Sequence, residues 1–303
     1  MLRRFAWGVL AYNLLVILWG AYVRASGSGA GCGSHWPTCN GEVVPRAETM
    51  ETFVELTHRL TSGVALLLVV GLAVAVFRAR PKGHPMRLGA VLSVVFMLLE
   101  AAVGAGLVLL ELVADNQSVA RAGWISVHLV NTFFLVAAMT LTAWWSAPGA
   151  KGVDRARLRL AWPLYLALVG TLVVGVTGAI TALGDTLFPS GSLAEGVAED
   201  FAPTAHFLVK LRVWHPVTAV VMGVFVTGQA VWAGVRHRTE TTVSLAKAVA
   251  FLFGAQLVGG FVNLVLLAPT WMQLVHLLMA DALWIALVLL TASLVAPRET
   301  SSA

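Results

Sequence analysis

Charge is scarce in this sequence. Asp, Glu, Lys and Arg make up 12% of its 303 residues, against 58% hydrophobic, whereas a soluble domain is about one quarter charged. That excludes an ordinary soluble domain and leaves a polytopic membrane protein. Cysteine is scarcer still: Cys32 and Cys39 are the only two, too few for a structural zinc site. The net charge of +5 is dispersed over short loops, so it forms no nucleic-acid patch.

What is abundant is apolar sequence in long runs. Eight runs approach the ~20 residues needed to cross a bilayer, at about 5–24, 53–77, 88–112, 122–146, 159–183, 206–235, 243–267 and 271–296. The first contains Tyr12, Asn13 and Trp19 and exceeds the ~7–15-residue core of a signal peptide, so it reads as a retained span. With Met1 inside, fourteen of the twenty Lys and Arg fall on inner segments, among them Arg3, Arg78, Lys151, Arg236 and Arg298. Both termini are therefore expected in the cytoplasm.

The stretch "GAYVRASGSGAGCG" leaving span 1 resembles "GAITALGDTLFPSG" leaving span 5. Spans 1–4 and 5–8 then read as two pseudo-symmetric four-helix bundles, residues 1–147 and 148–303. Four is an even number, so both copies point the same way, related by an axis along the membrane normal.

Histidines carry the strongest signal. His58, His128, His215 and His276 fall one to each even span, about five to nine residues from its outer end. At 1.5 Å per residue all four lie on the order of 8–14 Å below that end. Intramembrane ionisable groups are costly and mark function. Two histidines per bundle suit a planar cofactor with an imidazole above and below its iron, in preference to zinc, which needs three or four ligands at one ion, or to plain interhelical hydrogen bonds.

Glu55 precedes His58 by three residues, about one helical turn outward, and can face the same cavity. It can equally complement the helix N-terminus or pair with Arg59. Arg24, Arg59, Lys210 and Arg212 stand at outer mouths, able to meet propionates or simply water. Glu100 and Asp281, inside spans 3 and 8, have no assigned role. Cys32 and Cys39 share an outer loop, "CGSHWPTC", where oxidation favours a structural disulfide. An electron-exchanging dithiol and a weak metal site with His35 are the other readings.

The segments "GAYVRASGSGAGCGSHWPTCNG", "ELTHR", "VHLVN", "LRVWHPVTAV" and "QLVHLLMADALW" together resemble the haem A synthase family, in order and over nearly the whole chain. The resemblance implies an all-α integral membrane protein of the cytoplasmic membrane with eight spans in two halves. It implies an oxidoreductase that oxidises a methyl group of haem O, its substrate, to the formyl group of haem A for terminal oxidases. Carried onto this sequence, His58 and His128 bracket haem O in the N-terminal half. His215 and His276 ligate a retained haem b in the C-terminal half. Glu55 is then the catalytic carboxylate and Cys32–Cys39 the outer-loop disulfide, with Arg24, Arg59 and Arg212 as propionate contacts. Where the family often has an acidic residue before Trp-Pro, this chain has His35. Implied partners are the haem O synthase and a membrane electron carrier, and self-association is compatible with the reading. The alternative is a dihaem b-type cytochrome passing electrons from quinol to a partner. A third reading, a transporter using intramembrane His and Glu, predicts a colourless protein.

Overall fold

A computed structural model describes residues 1–43, 45–148, 150 and 152–297 of the chain. Lys151 and Arg298, counted above among the inner cations, lie outside the described residues. Among the described residues eight helices are long and apolar enough to cross a membrane, and these residues form no strand. We label them α1 (Leu2–Ala25), α2 (Met50–Ala79), α3 (Pro85–Leu109), α4 (Val119–Trp144), α5 (Trp162–Leu187), α6 (Trp214–Arg236), α7 (Glu240–Val265) and α8 (Thr270–Val295).

Local chemistry sets the ends of these helices. Thr49 accepts a hydrogen bond from the Thr52 N–H at 3.2 Å, so α2 begins three residues before its apolar run. Ser118 caps α4 through the Arg121 N–H and Thr239 caps α7 through the Thr242 N–H. Such caps satisfy backbone donors that have no helical partner. The proline positions account for two departures from the expected spans. Pro163 and Pro216 lack an N–H and are best tolerated in a first turn. Accordingly α5 starts at Trp162 after a short helix, Arg155–Leu158, and a 3₁₀ turn. Likewise α6 starts at Trp214, after the short helix Phe207–Lys210 and the turn Leu211–Val213. The loop after α5 also holds a helix, Leu193–Asp200, which the apolar pattern does not signal because the segment is polar.

In the packing, α1–α4 close a ring of neighbours and α5–α8 close another. The two rings meet through α4 against α5 and α8, and through α1 against α8. Between them the Phe133 and Trp284 rings stack at 5.0 Å, and the Trp284 indole N–H donates to the Phe133 carbonyl at 2.7 Å. Lipid gives helices no hydrophobic reason to associate, so close contact and hydrogen bonds must do it. Small residues provide the contact: a Cβ on Gly106 would lie 2.6 Å from the Trp124 ring. Asp281, 0% exposed, has no hydrogen-bond partner for either carboxylate oxygen among the described residues.

Arg24 adds a second tie across the halves. It donates to the Ala182 carbonyl at 2.8 Å, the Thr186 hydroxyl at 2.9 Å and the Gln273 side-chain oxygen at 2.9 Å. All three acceptors belong to α5 or α8.

Candidate functional site

Each of the four intramembrane imidazoles rests against a glycine on the preceding helix. A Cβ on Gly20 of α1 would stand 2.8 Å from His58 Cε1, and one on Gly178 of α5 would stand 2.9 Å from His215 Cε1. On α3 the partner of His128 is Gly104, at 3.8 Å, and on α7 the partner of His276 is Gly260, at 3.4 Å. The missing side chains let each ring lie along a neighbouring backbone. Gly178→Ala is expected to push the His215 ring aside and to alter the optical spectrum of any haem bound there. An unchanged spectrum would show that the contact is slack.

The same register repeats one turn on. Thr61 Oγ1 donates to the carbonyls of Thr57 and His58, and Thr218 Oγ1 to those of Trp214 and His215. Three residues before these histidines the halves differ, with Glu55 in one and Arg212 in the other.

Glu55 is 3% exposed and both of its oxygens are engaged. Oε2 accepts from the Cys32 backbone N–H at 2.8 Å, while Oε1 pairs with Arg59 at 2.5 Å. Arg59 in turn donates to the carbonyls of His35 at 2.7 Å and Thr38 at 2.6 Å. Cys32 and Cys39 form a disulfide with Cα atoms 4.4 Å apart. Their loop lies directly over the start of α2, where Gly31 meets the Glu51 backbone so closely that a Cβ would fall within 2.3 Å. The sequence leaves Glu55 a choice among facing a cavity, capping a helix and pairing with Arg59. The structure adds a fourth partner, the disulfide loop, which spacing along the chain cannot indicate.

Arg212 is 9% exposed and is held from the end of α5 and the loop that follows it. It pairs with Asp185 at 3.1 Å and approaches Asp200 at 3.9 Å. It also donates to the Gly184 carbonyl at 2.8 Å and to that of Phe188. Burial raises the Asp200 carboxyl above its ordinary range, against the pull of Arg212 and with a smaller push from Glu199. Lys210 donates to the Pro203 carbonyl at 2.7 Å, and His206 caps the short helix Phe207–Lys210.

The histidine rings suit an iron porphyrin. A metal about 2 Å from each of two imidazole nitrogens places the ring centres about 6 Å apart. His215 and His276 have centres 6.3 Å apart with ring planes at 90°. Nδ1 of His58, His128 and His276 lacks a hydrogen-bond partner among the described residues. Among those residues no three His, Cys, Asp or Glu converge on one point, as a zinc would require. Two carboxylates that carry no reading from the sequence also find places. Glu100 lies 3.4 Å from His128 Nε2, whereas Asp281 is buried within α8.

A family profile described as cytochrome oxidase assembly protein matches residues 3–288. A Thermus thermophilus protein named protoheme IX farnesyltransferase is 51% identical over 292 residues, covering 96% of this chain and 48% of that protein. Its counterpart in a second strain of the same species is equally similar. This chain thus spans about half the length of these relatives. A Bacillus cereus protein named heme A synthase is 46% identical over 95 residues, 31% of this chain and 30% of that one.

Proposed function

Because the chain belongs to the cytochrome oxidase assembly protein family, we propose that this multi-pass protein of the cell membrane is a haem A synthase. It would convert haem O to haem A by oxidising one porphyrin methyl group to a formyl group. The observation that carries this reading is a buried carboxylate, Glu55, one helical turn from an intramembrane histidine, in a chain holding a second histidine pair at metal-bridging distance.

In this reading His58 and His128 hold the substrate, and His215 and His276 hold a resident haem b. Bound haem supplies the redox chemistry that an inert methyl carbon needs. The side chains handle position and protons. Glu55 faces positive charge developing on the methyl carbon, or takes a proton from it. Arg59 and the Cys32 N–H fix the two carboxylate oxygens, so that Glu55 needs little reorganisation when it acts. Residues 1–147 form the substrate half and 148–303 the electron-passing half, with both termini cytoplasmic. Arg59 and Arg212 would guide propionates at the outer edge, while the three α5 and α8 acceptors of Arg24 favour a clamp between the halves.

The name of the Thermus relatives raises a different activity, transfer of a farnesyl group. Those relatives are about twice as long as the matched segment, so the name need not describe this half. It supports instead a partner that supplies farnesylated haem. The dihaem electron carrier has no use for a carboxylate fixed beside one histidine pair.

The test is co-expression with a haem O-producing enzyme, followed by chromatography of the extracted porphyrins. A formyl porphyrin that depends on this chain is expected. Bound b-type haem with no formyl product would favour the electron carrier, and a colourless protein would reject both.

A further inference from the structure

Glu100 lies in α3, inside the membrane, and the chemistry proposed above leaves it unused. Its carboxylate is tied on both sides. Asn131 Nδ2 donates to Oε2 at 2.5 Å, and Thr132 Oγ1 donates to Oε1 at 2.5 Å. Asn131 also reaches the Phe96 carbonyl at 2.9 Å, which fixes its amide. The anchored carboxylate is thereby aimed at His128, with Oε1 3.4 Å from Nε2.

The other imidazole nitrogen has nothing. His128 Nδ1 is buried without a partner among the described residues. A neutral imidazole carries one proton, and the hydrogen bond available to each nitrogen decides which one holds it. At His128 the acceptor stands beside Nε2, so the ring is biased toward the form whose Nε2 bears hydrogen. That form cannot bind iron through Nε2. At His215 the bias is opposite: the Thr177 hydroxyl gives its proton to the Val174 carbonyl, so its oxygen, 3.3 Å from Nδ1, acts as an acceptor there and leaves Nε2 free.

The corresponding position in the second half lacks the charge. Glu100 stands four residues before Gly104, the glycine under His128, and Gln256 stands four before Gly260, the glycine under His276. Gln256 does not address the imidazole: its Nε2 donates to the His276 backbone carbonyl at 3.1 Å. A carboxylate thus faces the ring in one half, and in the other an amide turns away from it.

We propose that Glu100 is a release residue: it competes with iron for His128 Nε2 and makes His128 the exchangeable axial ligand of the four. This rests on the haem A synthase reading, in which one half must pass its porphyrin on and the other must keep it. The exchange balances without a net proton. His128 would hold the porphyrin through Nε2; once that nitrogen is free, a proton taken up there from solvent at the half-exposed ring would be held toward Glu100, while the Nδ1 proton is given back to solvent. Glu100 acts through His128 and is a positioning residue.

The full-length protein, purified with its haem, would be mixed with excess apomyoglobin in detergent, and the haem types retained would be followed by chromatography over time. Glu100→Gln weakens the acceptor facing Nε2 by removing its charge, and charge-assisted bonds are about twice as strong as neutral ones. It is expected to slow the loss of haem O and haem A at least about tenfold while leaving haem b loss unchanged. Mere structural damage would speed loss, so retention is the diagnostic direction. Gln256→Glu is the reciprocal variant and carries the test alone should Glu100→Gln misfold. It is expected to speed haem b loss about tenfold. Unchanged rates in both variants, or faster loss from Glu100→Gln, would overturn the proposal and leave the haem A synthase reading standing. Preparations without iron porphyrin in any variant would overturn both.

Discussion

Replacement of Glu55 with alanine is expected to lower haem A output by at least about a hundredfold, the usual weight of a positioned acid–base group, with haem still bound. Alanine also leaves the Cys32 N–H and Arg59 without the acceptor they share, so some loss of stability accompanies the loss of chemistry. Glu55→Gln separates the two effects. The amide oxygen can still accept a hydrogen bond but can neither take a proton nor offer a negative charge, so output is expected to fall nearly as far while the thermal midpoint stays close to that of the parent. Chromatography of porphyrins from cells supplied with haem O, beside the absorbance of the purified protein, reads both quantities. Undiminished formyl porphyrin from the glutamine variant would remove Glu55 from the chemistry.

The second large effect belongs to His276. Its ring and that of His215 stand at the separation a shared metal requires. His276→Ala is expected to remove the haem of the second half, taking haem per chain from about two to about one. The b-type absorbance should vanish while haem O still binds between His58 and His128. Haem A output should cease as well, because the first half loses the group that passes its electrons. His84→Ala, in the loop between α2 and α3, is the control and should change neither quantity. Full b-type absorbance in the His276 variant would mean that these two rings do not hold the iron.

Apolar runs made the eight helices legible from sequence, and one histidine per even span singled out the four imidazoles that rest against glycines. Long apolar periodicity survives every local detail, because lipid imposes it on the whole span. The ends were less legible. The start of α2 depends on the Thr49 side chain, and the starts of α5 and α6 on prolines that hydropathy does not weigh. Least legible were contacts between residues distant in the chain. The bond from the Cys32 N–H to Glu55 and the approach of Glu100 to His128 arise only once helices and loops are placed in space. A signal for the second did exist. "EAAVG" and "QLVGG" each set an acid or its amide four residues before the glycine that supports a histidine, and an alignment of the two halves exposes the difference in charge.

Arg24 reaches from α1 to three acceptors, near the C-terminal end of α5 and the start of α8. A fastening at that point resists rotation of one half against the other. Under the haem A synthase reading proposed above, traffic of porphyrin through the first half would then leave the gap between the two macrocycles the same from one turnover to the next. Tunnelling rates fall steeply with separation, so a constant gap keeps the electron path equally good whether the incoming molecule has just arrived or is about to leave.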